Sequence, residues 1–172
     1  MRTQSRRLAS AALTLLASAS LVGIAAMPAH ADSTSCNGTV SRKTVKKDIV
    51  VRSGATCVIV NSHVEGNIEL ARNATLRISG STVDGNIQSQ NHKIVIVSNT
   101  RVDGNIQLEK GQSATLTRDT VDGDIQLFSN RGKQAVTANR VDGNLQCRSN
   151  RHMPTGGKNV VKGNKENQCR RL

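Results

Sequence analysis

The 172-residue chain has no tryptophan, no tyrosine and a single phenylalanine, Phe128. Without aromatic platforms it cannot stack single-stranded bases in series, and it has no rings on which to lay the faces of sugars. No recognition-helix motif replaces them, so nucleic acid is not an expected partner. A regular threonine array is also missing, because Thr82 and Thr120 alternate with Arg101 and Arg140, which breaks an ice-binding lattice. No stretch beyond residue 31 is apolar for the roughly 20 residues that a membrane span requires. Helical periodicity is absent throughout.

What is present begins with an address. Arg2, Arg6 and Arg7 precede a mostly apolar, small-residue run from Leu8 to Ala26, and Ala29–His30–Ala31 supplies a small-x-small cleavage signal. The expected organisation is a secretory signal peptide over 1-31 and one domain over 32-172. Export makes the expected location secreted or extracellular, with association to the cell wall as an extension. Without the leader the chain carries a net charge of +9, unevenly spread. Ser53–Cys147 is neutral, whereas Asp32–Arg52 has five basic and two acidic residues and Arg148–Leu172 seven and one. Basic ends on an exported protein point to anionic cell-envelope polymers or another surface protein as partners.

A heptad returns along the chain: VEGNIEL from Val64, VDGNIQS from Val83, VDGNIQL from Val102, VDGDIQL from Val121, VDGNLQC from Val141 and a worn VKGNKEN from Val161. The spacings are 19, 19, 19, 20 and 20 residues, and one more step back reaches Val45. A fixed period of this size without helical patterning predicts a solenoid. Inside each unit the apolar positions are two apart. Ile49, Ile68, Ile87, Ile106, Ile125 and Leu145 form one column; Val51, Leu70, Ser89, Leu108, Leu127 and Cys147 form its partner. A second stripe carries Ile59, Ile78, Val97, Leu116 and Val136. Spacing of two is strand spacing with one face buried, so the fold class is all-β: a single-domain parallel β-helix, right-handed, of about seven coils over 45-166.

The glycine column (Gly66, Gly85, Gly104, Gly123, Gly143, Gly163) is expected at a corner with positive φ. The asparagines beside it are expected in a left-handed or turn conformation, with stacked amide bonds. Gln88, Gln107, Gln126 and Gln146 should form an outward amide ladder, and Met153–Lys158 a loop. The four cysteines of an exported chain should pair. Arithmetic allows three connectivities. The coil selects Cys36 with Cys57 and Cys147 with Cys169, since each pair is about one turn apart and neighbouring coils fall within disulfide reach.

The remaining candidate is an outward acid column, Glu65, Asp84, Asp103, Asp122 and Asp142, whose like charges about 5 Å apart repel by roughly 0.8 kcal/mol in water. A bound cation such as calcium is one explanation; the other is local pairing with Arg101 and Arg140, which stand two residues before Asp103 and Asp142 on the same face and can reach acids of adjacent coils. No other cofactor is implied, and the calcium nonapeptide GGxGxD is absent. Arg101 with Asp84, Asp103 and Asp122 is the best cluster for a lyase-like polysaccharide enzyme, but 19-residue coils leave no room for loops that wall a groove. His63 and His92 are read as surface residues without partners.

With its VxGNIQ units and the ending GNLQC…PTGG…GNKE…QC, the chain resembles uncharacterised secreted repeat proteins of actinobacteria over almost all of 32-172, which implies a secreted β-solenoid and brings no activity to transfer. It is also similar to bactofilins, β-helices that polymerise end to end, from which its leader and cysteine-clamped ends depart. The expected function is that of a non-catalytic structural or surface-binding solenoid, monomeric rather than filamentous. A polysaccharide-active enzyme and an end-to-end filament are the alternatives.

Overall fold

The computed structural model describes residues 32-172, so the leader expected over 1-31 lies outside the described residues. The described residues form strands joined by turns, bends and irregular corners, with no helix among them. No helix among these residues is long and apolar enough to cross a membrane.

Each turn of the coil lays down three short strands, one in each of three parallel sheets. The first sheet has eight strands: Ser33–Ser35, Asp48–Val51, Ile68–Leu70, Ile87–Gln90, Ile106–Glu109, Ile125–Phe128, Leu145–Arg148 and Lys165–Asn167. The second has seven, Gly38–Ser41, Thr56–Val60, Thr75–Ser79, Ile94–Ser98, Ser113–Thr117, Gln134–Thr137 and Thr155–Gly157. The third has seven two-residue strands, from Thr44–Val45 to Val160–Val161. The register confirms the period: Ile68 pairs with Ile87, Ile87 with Ile106, Ile106 with Ile125 and Ile125 with Leu145. The step lengthens from 19 to 20 where Ala114 pairs with Gln134.

The inward columns fill the core. Ile49, Ile68, Ile87, Ile106, Ile125 and Leu145 are all fully buried, as are Val64, Val83, Val102, Val121 and Val141. One coil brings only about five such side chains, for example Val102, Ile106, Leu108, Ala114 and Leu116. At about 1.5–3 kcal/mol for a fully buried large aliphatic, stacking makes each coil's contribution count. Cys36 joins Cys57 and Cys147 joins Cys169, with Cα separations of 5.4 and 5.2 Å, and no described cysteine is free.

Several expectations are corrected. The heptad glycines do not have positive φ; they are needed because the backbone of the preceding coil comes close. A Cβ on Gly104 would lie 2.6 Å from Asn86 Oδ1 and 2.7 Å from the Gly85 carbonyl oxygen. The stacked amides beside them are present: the backbone N–H and Nδ2 of Asn86 both donate to Asn67 Oδ1, at 2.9 and 3.0 Å, and Asn105 repeats this on Asn86. None of these asparagines is left-handed. That conformation falls at the other two corners, at Asn61, Gly80, Asn99, Arg118 and Ala138, and at Asn91, Lys110, Ser129 and Ser149. Coiling begins before residue 45, because Ser33–Ser35 pairs with Asp48–Val50. Within the expected loop, Thr155–Gly157 continues the second sheet against Ala135–Thr137; the flexible glycines still supply strand backbone there.

The structure also has two buried polar ladders. At the corner between the second and third sheets, Ser62, Ser81, Thr100, Asp119, Asn139 and Asn159 are stacked inside the wall. Each bond links neighbouring coils: the N–H of Lys43 donates to Ser62 Oγ, Ser62 N–H to Ser81 Oγ, Thr100 N–H to Asp119 Oδ1, Asp119 N–H to Asn139 Oδ1 and Asn139 N–H to Asn159 Oδ1. At the corner between the first and second sheets, Gly111, Asn130 and Asn150 donate in the same way to Asn130, Asn150 and Gln168. Orphaned corner amides buried away from water would cost about 1–3 kcal/mol each, which explains the polar columns in a protein with so thin a core.

Candidate functional site

The acid column stands where the third sheet turns into the first. Its backbone is fixed by the solenoid: the N–H groups of Glu65, Asp84, Asp103, Asp122 and Asp142 donate to the carbonyls of Val45, Val64, Val83, Val102 and Val121, all at 2.9 Å. The buried valine before each acid and the close-packed glycine after it leave the carboxylate facing out. The structure therefore brings all five to one edge of the rod.

Four of the five have a basic side chain beside them. His63 Nε2 lies 2.7 Å from Asp84 Oδ1. The Arg101 guanidinium bridges two acids, with Nε 2.7 Å from Asp103 Oδ1 and Nη2 on Asp122 Oδ2. Asp142 lies between Lys162 Nζ at 2.7 Å and Arg140 Nε at 3.7 Å. The hydrogen bond from Lys162 holds the Asp142 carboxyl below the usual carboxylate range. These side chains are substantially exposed, so water screens each pair and each adds little to stability. Glu65 forms no ion pair among the described residues.

Of the cluster considered for catalysis, Arg101, Asp103 and Asp122 are together, while Asp84 is held by His63. Two N–H edges of the Arg101 guanidinium, at Nε and Nη2, are occupied by carboxylates, which makes it a charge bridge between coils. Among the described residues, no group of three or more His, Cys, Asp or Glu side chains is arranged to hold a metal ion.

The glutamine ladder is present but split. Gln126 Nε2 donates to Gln146 Oε1 and Gln146 Nε2 to Glu166 Oε2, both at 3.1 Å, while Gln88 Nε2 donates the other way to Glu69 Oε1 at 3.0 Å. Gln107 turns along its own strand to Glu109 Oε1 at 2.8 Å. Between these groups lies a shallow, open cleft of about 250 Å³ lined by Glu69, Gln88, Gln107 and Glu109.

Two titratable groups sit where sequence reasoning did not place them. His92, expected at the surface, is fully buried, and neither ring nitrogen has a hydrogen-bond partner. Its ring fills the space that a side chain on Gly111 would take, and burial pushes its pKa down to about 4. Asp119 is 1% exposed and belongs to the buried ladder, with Oδ1 accepting from Thr100 N–H and Oδ2 from Thr117 N–H, both at 3.0 Å. Burial raises its carboxyl to about 7, against the opposing pull of those two donors and of Arg118. The sign that could have exposed the ladder is a polar residue always one place after the left-handed corner residue.

The two ends of the rod differ. At the C-terminal end the chain turns back through Gln168–Leu172, with Cys169 buried and Leu172 packed on the core. At the N-terminal end Val40 and Val45 remain half-buried above fully buried Ile49.

No curated protein and no solved structure matches the chain. A family model does, over residues 30–156, most of the solenoid. By that match, the chain belongs to the Toastrack DUF4097 family.

Proposed function

We propose that the protein is an exported, non-catalytic β-solenoid that acts as a rigid rod at the cell envelope, binding a polymer, a surface or another protein through its basic ends and its acid column. One observation carries this reading: the outward ladders satisfy one another from coil to coil, and from Gly38 to Asn167 the register advances by 19 or 20 residues without a coil opening into loops. Catalytic groups are singular and need a walled, water-poor site. Here four of the five acids of the column are paired with neighbours on an open face, and the excess positive charge is left at the two ends. The family match and the two disulfides fit a structural or surface protein of an oxidising compartment.

Fractionation of producing cells with and without a salt wash tests the reading. The protein should remain with the cells at low ionic strength and be released by salt, because exposed charges are screened within about 3 Å at 1 M. Full recovery in the medium without salt would overturn attachment through the basic ends.

A further inference from the structure

The open N-terminal end combines two features that point to one kind of partner. Val40, Val45 and Ile49 floor a hollow of about 340 Å³, and Lys43, Lys46 and Lys47 stand on its rim. Lys47 is held by Asp32 at 2.7 Å, whereas Lys43 and Lys46 are exposed and form no ion pair among the described residues. An apolar floor inside a cationic rim is complementary to an amphiphile with an anionic head. The second feature is that the core is open at this end, with Val40 and Val45 only half-buried, whereas at the C-terminal end Leu172 packs on the core.

We propose that the N-terminal mouth docks on the anionic surface of a lipid bilayer, with Val40 and Val45 at the boundary between headgroups and acyl chains and Lys43 and Lys46 against lipid phosphates. The proposal rests on the surface-binding reading above and names its partner. Apolar side chains carried on a cationic face are the usual requirement for interfacial binding. Each lysine near an anionic surface contributes about 1 kcal/mol, about fivefold in affinity.

The test is co-sedimentation of the purified exported protein, disulfides intact, with vesicles of phosphatidylglycerol mixed into phosphatidylcholine, and with phosphatidylcholine alone. Binding is expected only to the anionic vesicles. K43Q/K46Q should weaken it about 30-fold, V45S should weaken it without any change of charge, and R170Q/R171Q at the opposite end should leave it unchanged. Thermal unfolding of each variant shows that it is folded. Equal losses from the two charge pairs would reduce the effect to net charge and overturn the proposal. Abolition of binding by an equal concentration of soluble glycerol phosphate would also overturn it, in favour of a simple phosphate site. Failure to bind any vesicle by a protein that still needs salt to leave its cells would remove the lipid and keep the surface-binding reading.

Discussion

Replacing Asp119 with asparagine should stabilise the protein at neutral and alkaline pH and expose a titration hidden in the wild type. The Asp119 carboxyl is raised from 3.8 to about 7, and the His92 imidazole is lowered from 6.5 to about 4. Because the folded state holds the Asp119 proton more tightly, the stability from this group is complete below pH 3.8 and is lost as pH rises through about 7. The stability from keeping His92 neutral has the opposite sign, complete above pH 6.5 and lost as pH falls through about 4. Between these limits the unfolded chain carries a proton on His92 and the folded chain one on Asp119, so the pair together contributes almost no slope. At 1.36 kcal/mol per unit, ionised Asp119 costs about 4 kcal/mol at pH 8. Asparagine removes this cost, and its Nδ2 can donate inward as Asn139 does to the Leu116 carbonyl and Asn159 to that of Val136. Loss of the acceptor for Thr117 N–H costs about 1–2 kcal/mol. The net gain at pH 8 is about 2–3 kcal/mol. Urea unfolding of both proteins from pH 4 to 8 measures the difference, in which all other carboxylates cancel. That difference should swing by about 4 kcal/mol in favour of D119N as pH rises. A difference independent of pH would refute the assignment of a buried, proton-holding carboxyl.

Further perturbations test the packing. G104A should destabilise by about 2–3 kcal/mol, because its Cβ meets the Gly85 carbonyl oxygen and Asn86 Oδ1, whereas G54A, which has φ of 73° but open space around it, should cost only about 1–2 kcal/mol; thermal melts compare them directly. G111A should also be damaging, but much less so with H92A in the same chain, since the His92 ring is what its Cβ strikes, and a double-mutant cycle reads that coupling. C147S/C169S should lower stability by about 3 kcal/mol through the released loop, measured by urea unfolding. R101A should change stability by less than about 1 kcal/mol and leave localisation on cells intact; loss of a polysaccharide-cleaving activity in this variant would instead favour an enzyme.

The sequence revealed what the solenoid repeats by residue type. The Ile49-to-Leu145 column can be read because apolar side chains are its only occupants, and the cysteine pairing follows from one turn of the same coil. The second-to-third-sheet ladder is hidden in the sequence because Ser62, Thr100, Asp119 and Asn139 share a role, not a chemistry: each offers an oxygen to the N–H of the neighbouring coil. A hydropathy pattern reads such a column as loop. His92 reads as a surface residue for the same reason, since it takes a ladder position without making the ladder's bond. The heptad glycine was legible as a constraint but not as to kind, because a sequence does not distinguish a residue that must bend left from one that must leave room. For the candidate site, the acid column and the Arg101 bridge were readable from spacing. The capture of Asp84 by His63 depended on which neighbours their side chains reached.

A stack of coils ordinarily comes apart from its tips, where the last unit has a neighbour on one side only. Here each tip is stitched to the next coil by a cystine, so fraying is opposed at both places where it would begin. The thinnest place is instead in the middle, in the coil where Ser89 interrupts the column between Leu70 and Leu108 and where His92 lies unbonded a few residues on. The rod should therefore fail as a rope does when its ends are whipped and one inner strand is thin: by opening a gap between two bound halves, and not by unravelling.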